Sequence, residues 1–376
     1  MLRLKLLMQA NSFKIELHDI IQTAEIGFHN VGFLFGAGTS LEAGFPVTME
    51  LTRQVIQKLS TEDINVLQKV LDKYQTISTH DYNLEEKMPD IEKILDMLFT
   101  IKLHSKVAED IVAFNLLDNN IKLLIYEILS SIKQPTLAYH IKFLNAIKAR
   151  IGKNSVPFTV FTTNYDTLFE QAAFYSNVLC ENGFIGPCLR YLDIESYNRK
   201  RGECVYRRGK ANNEFIEQKE PVFKLLKLHG SLSWYKNEDG TILESFTKDF
   251  LPDKCSQLMI YPEEVKVEKT MKEPYASLFD QTKNMLGNEV KYLVSCGYSF
   301  RDEHINNRLI FPKLRDGSIS LFAFFKEEPE CINELKKFDN FKYLTQDKIY
   351  CNKTEYQNDN QNLWRFSEFV EFLERG

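Results

Sequence analysis

Six apolar runs constrain this chain more than any other feature of its sequence: residues 31–35, 157–163, 222–228, 258–261, 290–295 and 318–325. Each is near-continuous rather than alternating. A strand with one wet face alternates apolar and polar residues, whereas a strand covered on both faces reads as an unbroken apolar run. Segments with helical periodicity lie between several of the runs. The expected class is therefore α/β, with a Rossmann-like parallel sheet and helices on both faces.

The segment after the first run departs from the usual dinucleotide-binding pattern. Val47, Leu51, Val55 and Leu59 recur at helical spacing. A second strand with an acid about 20 residues on would be the ordinary continuation, but the chain instead stays helical for about a hundred residues. Stripes of 3.6-residue period cover 91–103, 108–132 and 136–151, the last through Leu137, Ile141, Leu144, Ile147 and Ile151. Pro135 before and Gly152 after this stripe fit a helix start and stop. The reading is one domain over 1–376, with a core at about 28–60 and 155–330 and a helical insertion at about 61–152. A C-terminal helical extension, 345–376, carries Leu363, Phe366, Val370 and Leu373 on one face. Segments 192–220 and 236–256 read as polar loops.

Composition removes several classes. A net charge of −5 supplies no general attraction to nucleic acid or membrane, so direct nucleic-acid binding is not expected. The local basic run at 199–210 reads as a solvated loop. No apolar stretch approaches the roughly 18 residues of a membrane span, and the N-terminal stretch is too soon charged for a secretory signal. The seven cysteines are scattered, odd in number and without a C-x-x-C pair. That spacing argues against a disulfide framework and a zinc module, and makes a reducing cytoplasm the expected compartment.

Four of the runs end in turns of small and polar residues. Gly36-Ala37-Gly38-Thr39-Ser40 follows the first run, and Ala43-Gly44-Phe45-Pro46 extends it. Glycines there let the backbone approach a pyrophosphate, and a following helix would turn its free N–H groups to the anion; a plain tight turn is the alternative. Thr162-Thr163-Asn164-Tyr165-Asp166 ends the second run, where Asn164 and Asp166 either face a ligand crevice or cap the next helix. Leu228-His229-Gly230-Ser231 places an imidazole at a strand end, a structural group or a general base. Gly297-Tyr298-Ser299-Phe300 is followed by Asp302 and His304, which do not form a metal pair by spacing alone; Asp302 reads as a helix cap or a site residue.

As an ordered set these turns resemble the sirtuin superfamily. The loop Gly36–Ser40 with Gly44–Pro46 is similar to its G-A-G-x-S…G-[IF]-P segment, and Thr163–Asp166 to its T-Q-N-[IY]-D motif with one position shortened. His229-Gly230 and Gly297-Tyr298-Ser299 are similar to its H-G and late G-[TY]-S motifs, and the residues through Asn306 resemble the bacterial sirtuin-like branch. The resemblance implies that NAD is the substrate and that Gly36, Ala37, Gly38, Thr39, Ser40, Phe45, Thr163, Gly297 and Ser299 bind it. Asn164 would contact the nicotinamide ribose and place water, Asp166 would orient the nicotinamide, and His229 would be the base. No metal is implied. The absence of a four-cysteine module departs from the deacetylases, and the branch implies an NAD hydrolase of antiphage defence. Homo-oligomers and separate partners, such as a HerA-type ATPase, belong to that expectation. A protein deacylase or ADP-ribosyltransferase, and a module binding NAD or ADP-ribose derivatives without turnover, are the alternatives.

Overall fold

The computed structural model describes residues 12–20, 30–76, 82–84, 87–105, 107–151, 157–199, 202–205, 214–217, 222–261 and 273–375. Its centre is a ten-stranded sheet in the order Ser12–Phe13, Thr354–Asn358, Lys348–Cys351, Phe341–Leu344, Ser320–Phe324, Tyr292–Cys296, Val31–Phe35, Phe158–Thr162, Val222–Lys227, Leu179–Glu181. The seven strands from Phe341–Leu344 to Leu179–Glu181 are mutually parallel.

Both faces of this sheet are covered, as the unbroken apolar runs require. Phe33, Phe35, Val160, Leu225, Val294 and Phe324 point into one core, beneath helices Ala138–Ile151, Leu168–Ser176 and Phe366–Arg375. Leu34, Phe161, Leu226, Leu293 and Leu321 point into the other, with Leu278 and Phe279 of helix Tyr275–Met285. Neighbouring residues on one strand thus serve opposite cores, and neither face tolerates a polar alternation.

The structure corrects four expectations. Residues 258–261 do not add a strand to the parallel sheet. Strand Ser256–Met259 belongs to a separate antiparallel sheet, ordered Ser256–Met259, Gly230–Lys236, Ile242–Glu244, Arg190–Leu192, Phe184–Ile185. The segments read as polar loops hold strands: Ile242–Glu244 in that sheet, and Gly202–Val205 paired with Glu214–Glu217. These strands are short, so polarity outweighed any periodic signal. Of the basic run, Arg199 pairs with Asp193 at 2.5 Å, while Lys200, Arg201, Arg207, Arg208 and Lys210 lie outside the described residues. The C-terminal stretch carries strands Lys348–Cys351 and Thr354–Asn358 before it becomes helical at Phe366–Arg375.

The helical block also has different limits. Helices Thr48–Lys58, Thr61–Gln75, Ile91–His104 and Ala108–Ser130 share one core, built on Val55, Leu67, Leu98, Phe114 and Ile121. Thr48–Lys58, assigned by sequence to the sheet domain, belongs to this block. Ala138–Ile151, assigned to the insertion, lies on the sheet instead. Periodicity reports that a helix has an apolar face but not which core receives it.

Candidate active site at the strand ends

Four strands finish in one register row. Cys296 pairs with Phe35, Phe35 with Thr162, and Thr162 with Lys227. The next residues along are Gly297, Gly36, Thr163 and Leu228, so four turns far apart in sequence leave the sheet side by side at its carboxyl edge. That edge is where open parallel sheets bind ligands.

The glycines of this loop stand where it meets the turn at Gly297. Gly38 N donates to Gly297 O at 3.0 Å. A Cβ on Gly36 would lie 2.6 Å from Gly297 O, and one on Gly297 would lie 2.6 Å from Thr39 N. Gly297 also sits at φ +67, in the left-handed region. Two turns therefore touch backbone to backbone, and side chains would hold them apart. No helix follows the loop directly: short 3₁₀ turns, Ala37–Thr39 and Leu41–Ala43, intervene before Thr48–Lys58. The N–H groups of Thr39 and Ser40 are taken by Gly36 O and Ala37 O, so the expected helix N-terminus is absent from this loop.

Asn164 locks the glycine loop to the second turn. Its amide Nδ2 donates toward Gly36 O at 3.1 Å, Thr39 Oγ1 at 3.2 Å and Ser40 Oγ at 2.8 Å. The Ser40 hydroxyl donates to Asp166 Oδ2 at 2.7 Å, and Asp166 Oδ1 accepts from Leu168 N at 3.1 Å. The capping reading thus holds for one oxygen of Asp166 and not for Asn164. Thr39, Ser40, Asn164 and Asp166 are all buried. Thr163 donates its N–H to Phe35 O, and Phe45 donates to Ser40 O and packs against the helical block. Ala37 and Ser299 are exposed.

Lys227 holds this cluster from below. Its ammonium donates to Asp166 O, to Tyr165 O at 3.5 Å, to Glu170 Oε1 at 2.9 Å and to Ser231 Oγ at 2.9 Å. It is only 1% exposed. Burial pushes the Glu170 carboxyl up, and Lys227 opposes the shift. The sequence reading passed over Lys227 because it stands in an apolar run. A lysine where both faces of a strand are covered was the signal available.

His229 is buried beside a different pair. Its Nε2 lies 3.8 Å from Asp302 Oδ1, and its ring stands 5.3 Å from that of His304, 19° from parallel. Phe279 stacks on the far side of His304 at 5.6 Å. Asp302 makes no side-chain cap to the helix it precedes, so its capping reading fails. Tyr275 was also missed. Its hydroxyl sits 2.8 Å from the place a Gly230 Cβ would take, without a hydrogen-bond partner among the described residues. Burial pushes the phenol far up, so it remains a proton donor.

The helical block covers this end of the sheet: Tyr165, Leu232 and Tyr261 pack against its core, and Arg301 pairs with Asp90 at 3.1 Å. Two surface cavities, of about 530 and 590 Å³, lie elsewhere, one lined by Tyr191, Asp193 and Thr241, the other by Lys14, His18 and Arg375.

Fold and site together define an α/β protein with a polar centre at the carboxyl edge of a Rossmann-like sheet. Residues 159–344, just under half the chain, match the family model described as SIR2-like domain. It includes the turns at Thr163–Asp166, His229 and Gly297, and the glycine loop outside it is bonded to the turns at Asn164, Asp166 and Gly297. No curated protein matches. Similar solved structures include a Sir2 with p53 peptide and NAD+, at 12% identity over 96% of this chain and 98% of that one, TM-score 0.38. Another, described by the structural basis of sirtuin substrate affinity, shows 12% over 95% and 98%, TM-score 0.40. No helix among the described residues is long and apolar enough to cross a membrane.

Proposed function

We propose that this chain binds NAD at the four strand ends and hydrolyses its nicotinamide–ribose bond, as an NAD-depleting effector of antiphage defence. The observation that carries the reading is the single row Cys296–Phe35–Thr162–Lys227. It brings Asn164, Asp166 and His229 to the edge where the glycine loop ends. The SIR2-like match over residues 159–344 supports the same cofactor.

Water attacks the ribose C1′, the C1′–N bond breaks, and its electrons neutralise the pyridinium nitrogen of departing nicotinamide. The proton lost by water passes to the His229 imidazole and on to solvent. Products are ADP-ribose, nicotinamide and a proton. The leaving group is already cationic, so the protein supplies position, a dry environment and a base. The Asn164 amide nitrogen is committed to the glycine loop, which leaves its carbonyl oxygen to accept from a ribose hydroxyl or water. Thr39, Ser40 and the glycine turn line the phosphate side, with Gly297, Thr163 and Phe45 fixing that turn. Ala37 lies with that turn on the phosphate and ribose side, and exposed Ser299 meets the adenosine end. The Tyr275 hydroxyl adds a donor near His229. The cover supplied by the helical block favours a small substrate and water over an acyl-lysine peptide. Oligomerisation and activation by a separate ATPase partner belong to the same proposal.

Purified protein incubated with NAD, with and without the product of a neighbouring gene, is expected to release nicotinamide and free ADP-ribose. His229→Ala is expected to slow release by about 10²–10⁴-fold with little loss of folding. Full turnover in that variant removes His229 from the mechanism. An O-acyl or protein-linked ADP-ribose product replaces hydrolysis with transfer, and tight NAD binding without release under both conditions leaves only a binding module.

A further inference from the structure

We propose that His229, Asp302 and His304 form a binding site for a zinc-class divalent ion, and that the ion, when bound, switches off the base at His229. One ligand atom from each residue lies within 4.8 Å of the other two. Among the described residues this is the sole such grouping of histidine, cysteine and acid, and it contains no cysteine. Two histidines and one carboxylate with open positions is a donor set that zinc-class ions accept. Metal–ligand bonds of about 2.0–2.2 Å put tetrahedral donor atoms about 3.4 Å apart. The His229–Asp302 distance of 3.8 Å is thus close to closure.

The surroundings fit a bound ion. His229 and His304 are buried, Asp302 is half-buried, and Phe279 fixes the plane of the His304 ring. The Tyr275 hydroxyl, protonated and without a partner among the described residues, stands beside Gly230 and can donate to a water on the ion. Residues 229 and 302–304 come from two different strand ends, so the site exists only in the folded chain. The regulatory half of the proposal rests on the hydrolase reading: a lone pair given to a metal cannot take a proton from water. Ion binding does not rest on it.

The test separates the two. Full-length protein, stripped with chelator, is titrated with Co²⁺ and with Zn²⁺ in the absence of NAD. One ion per chain is expected, with a cobalt spectrum of nitrogen and oxygen ligands and no thiolate charge-transfer band. His304→Gln and Asp302→Asn are each expected to weaken binding at least tenfold, with circular dichroism and Tm reporting that they fold. No binding, a thiolate spectrum, or binding unchanged in both variants overturns the site. In a nicotinamide-release assay, Zn²⁺ is expected to inhibit the wild type and to need at least tenfold more ion in His304→Gln. Binding without inhibition overturns the switch and leaves the site. Absence of release with or without chelator and partner is the failure of the hydrolase reading, and the cobalt titration still decides the site.

Discussion

The two halves of the strand-end cluster are built to different tolerances. Around the glycine loop, Asn164, Ser40, Asp166 and Lys227 form a lattice of hydrogen bonds, most of them between 2.7 and 3.2 Å. Around His229, an Asp302 carboxylate oxygen stands 3.8 Å from Nε2 and the His304 ring stacks at 5.3 Å. The first half is finished without a ligand, because buried polar groups left unmet cost about 1–3 kcal/mol each. The second gathers two imidazoles and a carboxylate whose ligand atoms lie within 4.8 Å of one another. A half that fixes geometry beside a half that carries titratable groups is the division expected of a preorganised site.

That contrast can be broken at several points. Removing the charge under the tight half has the largest expected effect: Lys227→Met leaves Glu170 and the Asp166 carbonyl buried without their partner, and should cost about 3–5 kcal/mol in denaturant unfolding. A loss under 1 kcal/mol would show the lattice stands without it. His140 gives the next effect. It is buried between Phe169 and Phe366, has no hydrogen-bond partner among the described residues, and burial pushes its imidazole down to about 4, partly offset by Asp166. The folded state binds this proton less readily than the unfolded chain, so stability falls as pH drops from about 6.5 toward 4, by about 3 kcal/mol. Unfolding curves of wild type and His140→Leu across that window should diverge in slope, and parallel curves would remove His140 as the cause.

Gly297→Ala sharpens the role of the backbone contact. It combines a left-handed φ with a Cβ 2.6 Å from Thr39 N, and should destabilise by about 1–3 kcal/mol while loosening the glycine loop. NAD affinity should fall with stability; unchanged affinity would detach the loop from the site. The smallest effect is expected at the cover. Arg301→Ala breaks an ion pair with Asp90 in which the arginine is largely exposed, and should change Tm little, at about 0–1 kcal/mol.

How much of this was legible in the sequence differs between elements. Residues 31–35 and 222–228 could be read as doubly covered strands because Phe33 and Leu34, or Leu225 and Leu226, are apolar on both sides. The turns at Gly36, Thr163, His229 and Gly297 could be placed at strand ends for the same reason. The antiparallel strand Gly230–Lys236 was not legible: its Ser231 and Ser233 are buried through the hydrogen bonds of Lys227 and Glu244, which only contact reveals. Lys227 was hidden because its partners, two carbonyls with Glu170 and Ser231, meet it only in the fold.

The amino-acid order by itself determined which segments must be buried and where polar turns interrupt them, since burial patterning is local and leaves a period in the chain. Only the tertiary structure decided that Gly36 and Gly38 face Gly297, that Asn164 reaches the loop 128 residues before it, and that His229 lies against Asp302 and His304. Those meetings depend on strand order and register, which are set by how the whole sheet packs between its two cores.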